Sequence, residues 1–147
     1  MDEQRQDLLG LLMPLGRALR RVEEAAAAEH GLSMWQYAIL SVAERHPGLN
    51  QAEVADFLGY SKNRIIGDLD HLEGAGLLRR SRGADRRANV LSVTEAGRAI
   101  RSAVQRKIHR HEDDLLAPLS STTRRAFVAA LRDLDKALRH QRRRGPP

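Results

Sequence analysis

The chain has 147 residues, of which 41% are hydrophobic and 30% charged, which suits a single helical domain with one core. The absence of cysteine excludes disulfides, thiolate metal sites and thiol-based redox sensing, and an aromatic content of 3% argues against a stacking platform for single-stranded nucleic acid. The net charge of +6 favours a polyanionic partner, and no stretch predicts a membrane span or a signal peptide, so we expect a cytoplasmic protein.

Positive charge is concentrated in two parts of the chain. Residues 1–60 carry five cations and nine acids, whereas residues 61–90 carry seven cations and four acids, and residues 120–147 carry eight cations and two acids. In the last segment, the cations from Arg139 to Arg144 suit the macrodipole at a helix C-terminus and need no function, the alternative being contact with the polyanion. The segment 61–90 is therefore the first candidate for contact with a polyanion.

Five apolar residues near the start recur at the spacing of one helix face: Leu8, Leu12, Leu15, Leu19 and Val22. They predict one narrow apolar stripe on a long helix, which Gly31 ends. Pro14 lies within this pattern and has two interpretations, since proline is tolerated in a first turn but removes a hydrogen bond further along. Either it begins the main helix or it kinks a longer one.

Capping residues mark two further helices. Ser33 is placed to cap a second helix, which Pro47 ends. Asn50 is placed to cap a third helix over residues 51–58, and a tight turn is predicted at residues 59–60.

A fourth helix is predicted between the cap residue Ser61 and Gly74. Its inward positions follow the helical period: Ile65, Leu69 and Leu72. Two short helices joined by a tight turn form the helix-turn-helix signature, here over residues 51–73.

The pattern after this helix changes to that of a small β-hairpin over residues 77–93. Strands are predicted at residues 77–82 and 90–93, on either side of a polar and basic loop at residues 83–89. Because the loop is longer than a tight turn, we expect it to project from the body as a wing.

Two helices complete the chain. Thr94 is placed to cap a fifth helix that reaches about Leu116, and Pro118 separates it from the sixth. The sixth helix carries a second narrow apolar stripe: Phe127, Leu131, Leu134 and Leu138. Since such stripes leave apolar surface unburied in a monomer, we expect a homodimer.

The fourth helix has cations near its N-terminus and acids near its C-terminus, although the macrodipole favours the opposite order by about 0.3–1 kcal/mol per charge. We interpret the reversal as a functional demand of double-stranded DNA binding. In a major groove, the first turn would offer four side chains to phosphates and base edges: Ser61, Lys62, Asn63 and Arg64. Gly67 lies on the same exposed side. The alternative interpretation is a solvated helix end with incidental charges.

The predicted wing adds a second candidate contact, since it gathers five cations: Arg79, Arg80, Arg82, Arg86 and Arg87. A salt bridge from Asp85 to Arg87 would point one guanidinium outward, which suits a narrow minor groove. The alternative is a solvated hairpin tip.

Five segments together resemble the MarR family of regulators: Gly31 to Gln36, Leu49 to Ala55, Leu72 to Leu77, Asp85 to Arg87 and Leu91 to Gly97. The resemblance implies a mostly α fold with a small β-hairpin wing, in one domain of residues 1–147. Its winged helix-turn-helix lobe would span residues 31–97. The flanking segments 1–30 and 98–147 would supply the dimerisation helices.

The resemblance also implies repression at a palindromic operator and release by a small, often aromatic, anion. Met13, Trp35 and His46 are plausible neighbours of that ligand, and each is equally suited to an ordinary core. Gly67 stands where the family often has a polar or basic residue. Base contacts are therefore expected to shift to Lys62, Asn63, Arg64 and Ile66, the last of which would touch a thymine methyl.

No catalytic constellation, metal site or cofactor is predicted. The cluster His109, His111, Glu112, Asp113 and Asp114 is interpreted as a solvated helix end, because positions 109 and 111 do not share a helix face. The alternatives to a repressor are an activator or architectural DNA-binding protein of the same fold, or a ligand-binding protein that borrowed the fold.

Overall fold

The computed structural model describes residues 5–82 and 89–145. These residues form six helices and two strands in the order α1 (Leu8–Ala28), α2 (Met34–Arg45), α3 (Gln51–Leu58), α4 (Arg64–Gly74), β1 (Leu78–Arg82), β2 (Asn89–Val93), α5 (Glu95–Leu115) and α6 (Ser121–Arg144). The predicted fold class, mostly α with a small hairpin, is confirmed. Two compact units are present, residues 1–110 and residues 111–147. The predicted lobe boundaries at residues 30 and 97 stay predictions.

The first helix begins at Leu8, six residues before Pro14, and continues to Ala28. Pro14 therefore lies inside one helix and does not begin it. Because proline has no backbone N–H, the carbonyl of Gly10 lacks its usual partner four residues along.

Among the described residues, none of the helices combines the length and the apolarity that a membrane crossing requires.

Local hydrogen bonds fix the starts of α2 and α3 where the sequence predicted them. The Ser33 hydroxyl accepts from the Gln36 N–H at 3.1 Å, and Gln36 Oε1 accepts from the Ser33 N–H at 3.0 Å. The same reciprocal pair joins Asn50 and Glu53 at 2.8 and 3.2 Å. Each capping box satisfies two backbone donors that the first turn would otherwise leave without a partner.

The fourth helix is entered through a turn at residues 62–63, and its regular part begins at Arg64. Ser61 still acts as the cap, because its hydroxyl accepts from the N–H groups of Asn63 and Arg64 at 3.3 Å. Its carbonyl accepts from the Ile65 N–H at 3.0 Å, as in a helix. Arg64 is therefore the first residue of the regular helix, and Lys62 lies in the turn that leads into it.

A single hydrophobic core joins the helix-turn-helix to the hairpin and α5 within residues 1–110. Its largest fully buried side chains are Ile39, Leu40, Val54, Ile65, Leu69, Leu72, Leu78, Leu91 and Val104. Each contributes about 1.5–3 kcal/mol by its removal from water. The three inward positions predicted for α4 are all among them.

The antiparallel hairpin pairs Leu78 with Val93 at its base and Arg82 with Asn89 at its outer end. It is also attached to the start of α3. The Leu91 N–H donates to the Leu49 carbonyl at 3.0 Å, and an isolated bridge joins Val90 to Asn50, the α3 cap residue. The hairpin base and the helix-turn-helix thus share hydrogen bonds.

The start of α5 packs on the base of the hairpin with no room for a side chain at Gly97. A Cβ there would lie well inside van der Waals contact with the Leu77 carbonyl oxygen and 2.8 Å from Val93 Cγ1. Thr94 fixes this approach, since its hydroxyl accepts from the Gly97 N–H at 3.0 Å and donates to the Gly76 carbonyl at 2.7 Å. The predicted cap at Thr94 is confirmed.

The unit of residues 111–147 is dominated by α6, which Ser120 caps by accepting from the Thr123 N–H at 3.1 Å. The apolar stripe predicted on this helix is largely open to solvent. Leu131, Leu134 and Leu138 are 43%, 61% and 57% exposed.

Candidate nucleic-acid interface

The residues predicted to contact DNA around α4 lie together and are exposed: Ser61, Lys62, Asn63, Arg64, Ile66 and Gly67. We call this set the α4 surface. Helical periodicity places it opposite the buried Ile65 and Leu69. Ile66 is 45% exposed, and no described atom would approach a Cβ at Gly67 within 4 Å. The surface is therefore open to a groove, and its contacts with DNA stay a prediction.

The cations of the α4 surface are not committed to strong internal contacts. Lys62 Nζ lies 3.6 Å from Asp56 Oδ1, and both side chains are about two-thirds exposed. An exposed pair of this kind contributes roughly 0–1 kcal/mol, so a phosphate can replace the Asp56 carboxylate at little cost.

The wing residues divide at the edge of the described chain. Arg82 is exposed at the outer end of β1. Asp85, Arg86 and Arg87 lie outside the described residues, so their salt bridge and their minor-groove contact stay predictions.

The acids at the C-terminal end of α4 have a structural partner that the sequence did not reveal. Arg80 of β1 forms ion pairs with Asp70 and Glu73, with 3.1 Å between Arg80 Nε and Glu73 Oε2. Hydrogen bonding from Arg80 lowers the pKa of Glu73, and the two acids raise the pKa of Arg80. The reversed charge order of this helix is thus partly explained by its attachment to the hairpin.

The sequence predicts Arg80 as one of the wing cations, but in the structure its side chain contacts α4. A two-residue period places Arg80 on the same side of β1 as the buried Leu78, whereas Arg79 is exposed. That alternation was the available signal for separating Arg80 from its neighbour Arg79, whereas Arg82 is exposed because it lies at the outer end of the strand.

A third acid of α4, Asp68, joins three parts of the lobe. Its Oδ1 accepts from Gln36 Nε2 at 3.1 Å, and its Oδ2 accepts from the Tyr60 hydroxyl at 2.7 Å. Tyr60 stacks on Trp35 with ring centroids 4.2 Å apart and planes at 15°. Burial, followed by the hydrogen bond to Asp68, raises the pKa of Tyr60 to about 12. No local sequence pattern predicts this group.

The three residues predicted to surround a small ligand are not brought together. Trp35 stacks on Tyr60, whereas His46 contacts the Phe57 ring with centroids 4.8 Å apart. Trp35 and His46 lie at opposite ends of α2, about 16 Å apart along its axis. Met13 is exposed on α1. Their role in ligand binding stays a prediction.

In residues 5–82 and 89–145, no group of three or more His, Asp or Glu side chains could hold a metal ion.

Comparison with known proteins places this architecture in a family. Residues 30–88 match the sequence model described as the MarR family. The chain is 30% identical over 113 residues to the HTH-type transcriptional regulator YfiV of Bacillus subtilis, covering 76% of this chain and 71% of the relative.

Two solved structures extend the likeness to nearly the whole chain. A crystal structure of MarR has a TM-score of 0.83 and 30% identity, covering 95% of this chain and 96% of the other. The transcriptional repressor CouR bound to a 23-mer DNA duplex has a TM-score of 0.77 and 31% identity, covering 91% and 96%. The fold, the exposed α4 surface and these similarities lead to one conclusion: the chain belongs to the MarR family of DNA-binding transcriptional regulators.

Proposed function

We propose that the protein is a homodimeric repressor that reads a palindromic operator with the α4 surface and contacts the flanking minor groove with its wing. The observation that carries this proposal is the exposed, cationic start of α4, together with the turn that leads into it. Lys62, Asn63 and Arg64 offer donors there, and Arg64 can bind a guanine through two hydrogen bonds. The complex of the similar repressor CouR with a DNA duplex supports the same use of the fold.

The charge distribution within α4 favours this orientation toward DNA. The nearby acids are engaged elsewhere, Asp70 and Glu73 with Arg80 and Asp68 with Tyr60. The negative charge of Asp70 and Glu73 is partly neutralised by Arg80 on one flank of the helix, while the cations at its start face outward. A phosphate backbone approaching the first turn therefore meets a positive surface.

Dimerisation is proposed from the apolar surface left open on two helices. Near the start of α1, five apolar side chains are between 46% and 68% exposed: Leu8, Leu9, Leu11, Leu12 and Met13. The stripe of α6 is similarly open. Exposed apolar patches of this kind mark association surfaces, and a closed two-fold dimer is the commonest solution.

A two-fold protein predicts the form of its operator. Selection of binding sites from random duplexes should return an inverted repeat with half-site centres about 10–10.5 base pairs apart, because each dimer presents two α4 surfaces. Selection with high-throughput sequencing measures this directly. A direct repeat, or no consensus, would contradict the proposed geometry.

Arg64 should carry base recognition. Arg64→Ala is expected to cost roughly 1–3 kcal/mol on the selected duplex and much less on a scrambled one, because a lost base contact affects only the cognate site. Titrations of both duplexes at several salt concentrations measure the two losses. Arg132→Ala on α6 removes an exposed arginine that is not part of the α4 surface and serves as the control. Equal losses on both duplexes for Arg64→Ala would make Arg64 a phosphate contact only.

As a repressor, the protein would act in the cytoplasm, where it would bind chromosomal DNA, and it would have no catalytic role. Release by a small aromatic or anionic molecule, which the family resemblance implies, is part of the proposal. It is tested by measuring operator binding in the presence of aromatic carboxylates. If none of these compounds changes operator binding, release by a small molecule is contradicted and the rest of the proposal is unaffected.

A further inference from the structure

We propose that Asp68 is a positioning residue whose hydrogen bonds to Tyr60 and Gln36 fix the rotation of α4 about its axis. These three residues are called the Asp68 clamp. The clamp sets which bases the α4 surface can reach, while its own side chains need no contact with DNA. This inference rests on the proposed function, because it concerns how the operator is read.

The clamp ties α4 to two other elements through one carboxylate. Asp68 follows Gly67 of the α4 surface directly and lies on the flank of the helix beside the buried Leu69. Its two oxygens accept from Gln36 on α2 and from Tyr60 in the turn between α3 and α4. A carboxylate acceptor strengthens both bonds relative to a neutral one.

The two donors of the clamp are themselves held in orientation. Gln36 Oε1 accepts from the Ser33 N–H in the capping box of α2, so the amide nitrogen of Gln36 has to face Asp68. The Tyr60 ring is fixed by its stacking on Trp35, and its protonated hydroxyl donates to Asp68 at 2.7 Å. Both oxygens at position 68 must therefore accept, which an amide side chain cannot do.

The opposite flank of α4 is held by Arg80 through Asp70 and Glu73. With both flanks attached, rotation of the helix is opposed in either direction. Side chains extend about 5–6 Å from the axis of an α-helix, so a rotation of about 10° would move the tips of the α4 surface by about 1 Å. A displacement of that size is enough to spoil a hydrogen bond to a base edge.

An exchange of donor and acceptor tests the clamp. Asp68→Asn leaves either Gln36 or Tyr60 without an acceptor. Gln36→Glu keeps the α2 capping box, which accepts Glu as well as Gln, but places two carboxylates together. In the double variant Gln36→Glu/Asp68→Asn, the amide at position 68 donates to the carboxylate at position 36 and its oxygen accepts from Tyr60. The double variant also has the wild-type net charge.

The measured quantity is the ratio of affinities for the duplex selected by the wild-type protein and for a scrambled duplex of the same composition. Each single variant should lower this ratio roughly tenfold, the size of one lost base-pair contact, and the double variant should restore it. Taking the ratio removes most of the effect of one added or lost charge, because phosphate contacts contribute to both duplexes. Asp114→Asn, an exposed acid outside the lobe, is the matched control and should leave the ratio unchanged.

A merely structural role would appear differently. Lower melting temperatures with unchanged ratios in the single variants would overturn the clamp, and so would a double variant as poor as either single one. Tyr60→Phe provides a second variant, since it removes the hydroxyl but keeps the stack on Trp35, and its ratio should also fall. If the wild-type protein prefers neither duplex, the proposed function itself is contradicted. If the wild-type ratio is normal and the variants have the same ratio, only the clamp is contradicted.

Discussion

Replacing Gly97 with alanine is expected to lower the free energy of unfolding by about 3 kcal/mol, because the new methyl group has no space. It would overlap the Leu77 carbonyl oxygen and crowd Val93 Cγ1. The Leu77 carbonyl cannot retreat freely, since it accepts from the Thr94 N–H at 3.1 Å. Relief would require α5 to move away from the hairpin and to break a hydrogen bond of the Thr94 hydroxyl, either to Gly97 or to Gly76.

Urea denaturation followed by circular dichroism measures this loss. Gly67→Ala is the control, because it also places alanine early in a helix but meets no described atom within 4 Å. It should raise the free energy of unfolding by about 0.5–1 kcal/mol through helix propensity. Equal stabilities for the two variants would show that the close approach at Gly97 is unimportant.

Leu134→Asp is expected to convert the dimer to monomer at micromolar concentration. Leu134 is 61% exposed in the single chain and lies on the α6 stripe. In a two-fold dimer each substitution is present twice, and an unpaired carboxylate buried in an interface costs about 3–5 kcal/mol. The dissociation constant should therefore rise by more than about a hundredfold.

Analytical ultracentrifugation across a range of concentrations measures the assembly. Ala129→Asp adds the same charge on the opposite, exposed face of α6 and should leave the dimer intact. A stable dimer of the Leu134→Asp variant would place the interface away from this stripe. Melting curves of both variants show whether α6 itself stays folded.

The sequence predicted the elements well because their signals are local. Ser33, Asn50 and Thr94 bond to backbone groups three residues away, so each marks a helix start without knowledge of the fold. The α4 surface was predictable for the same reason, since Ser61 and the helical period determine which side chains face outward. Pro14 was ambiguous because nearby residues permit both interpretations.

The missed residues depend on contacts that only the tertiary fold creates. Gln36 and Asp68 are 32 positions apart, and their bond forms only when α2 packs against α4. The attachment of Leu91 to Leu49 is equally non-local. Asp70 and Glu73 are unfavourable for the macrodipole of α4, but their ion pairs with Arg80 account for their presence. The helix-dipole argument alone therefore attributed too much of this charge order to DNA binding.

The stacked ring of Trp35 gives the molecule a built-in optical probe. It is the only tryptophan of the chain and it lies in the unit of residues 1–110. Its emission therefore reports on the packing around Tyr60 within that unit, whereas far-ultraviolet dichroism includes every helix. Coincident unfolding curves from the two signals would mean that both units melt as one cooperative system, and separated curves would resolve the stability of each. The unmodified protein can thus reveal the coupling between its DNA-reading lobe and its C-terminal helix.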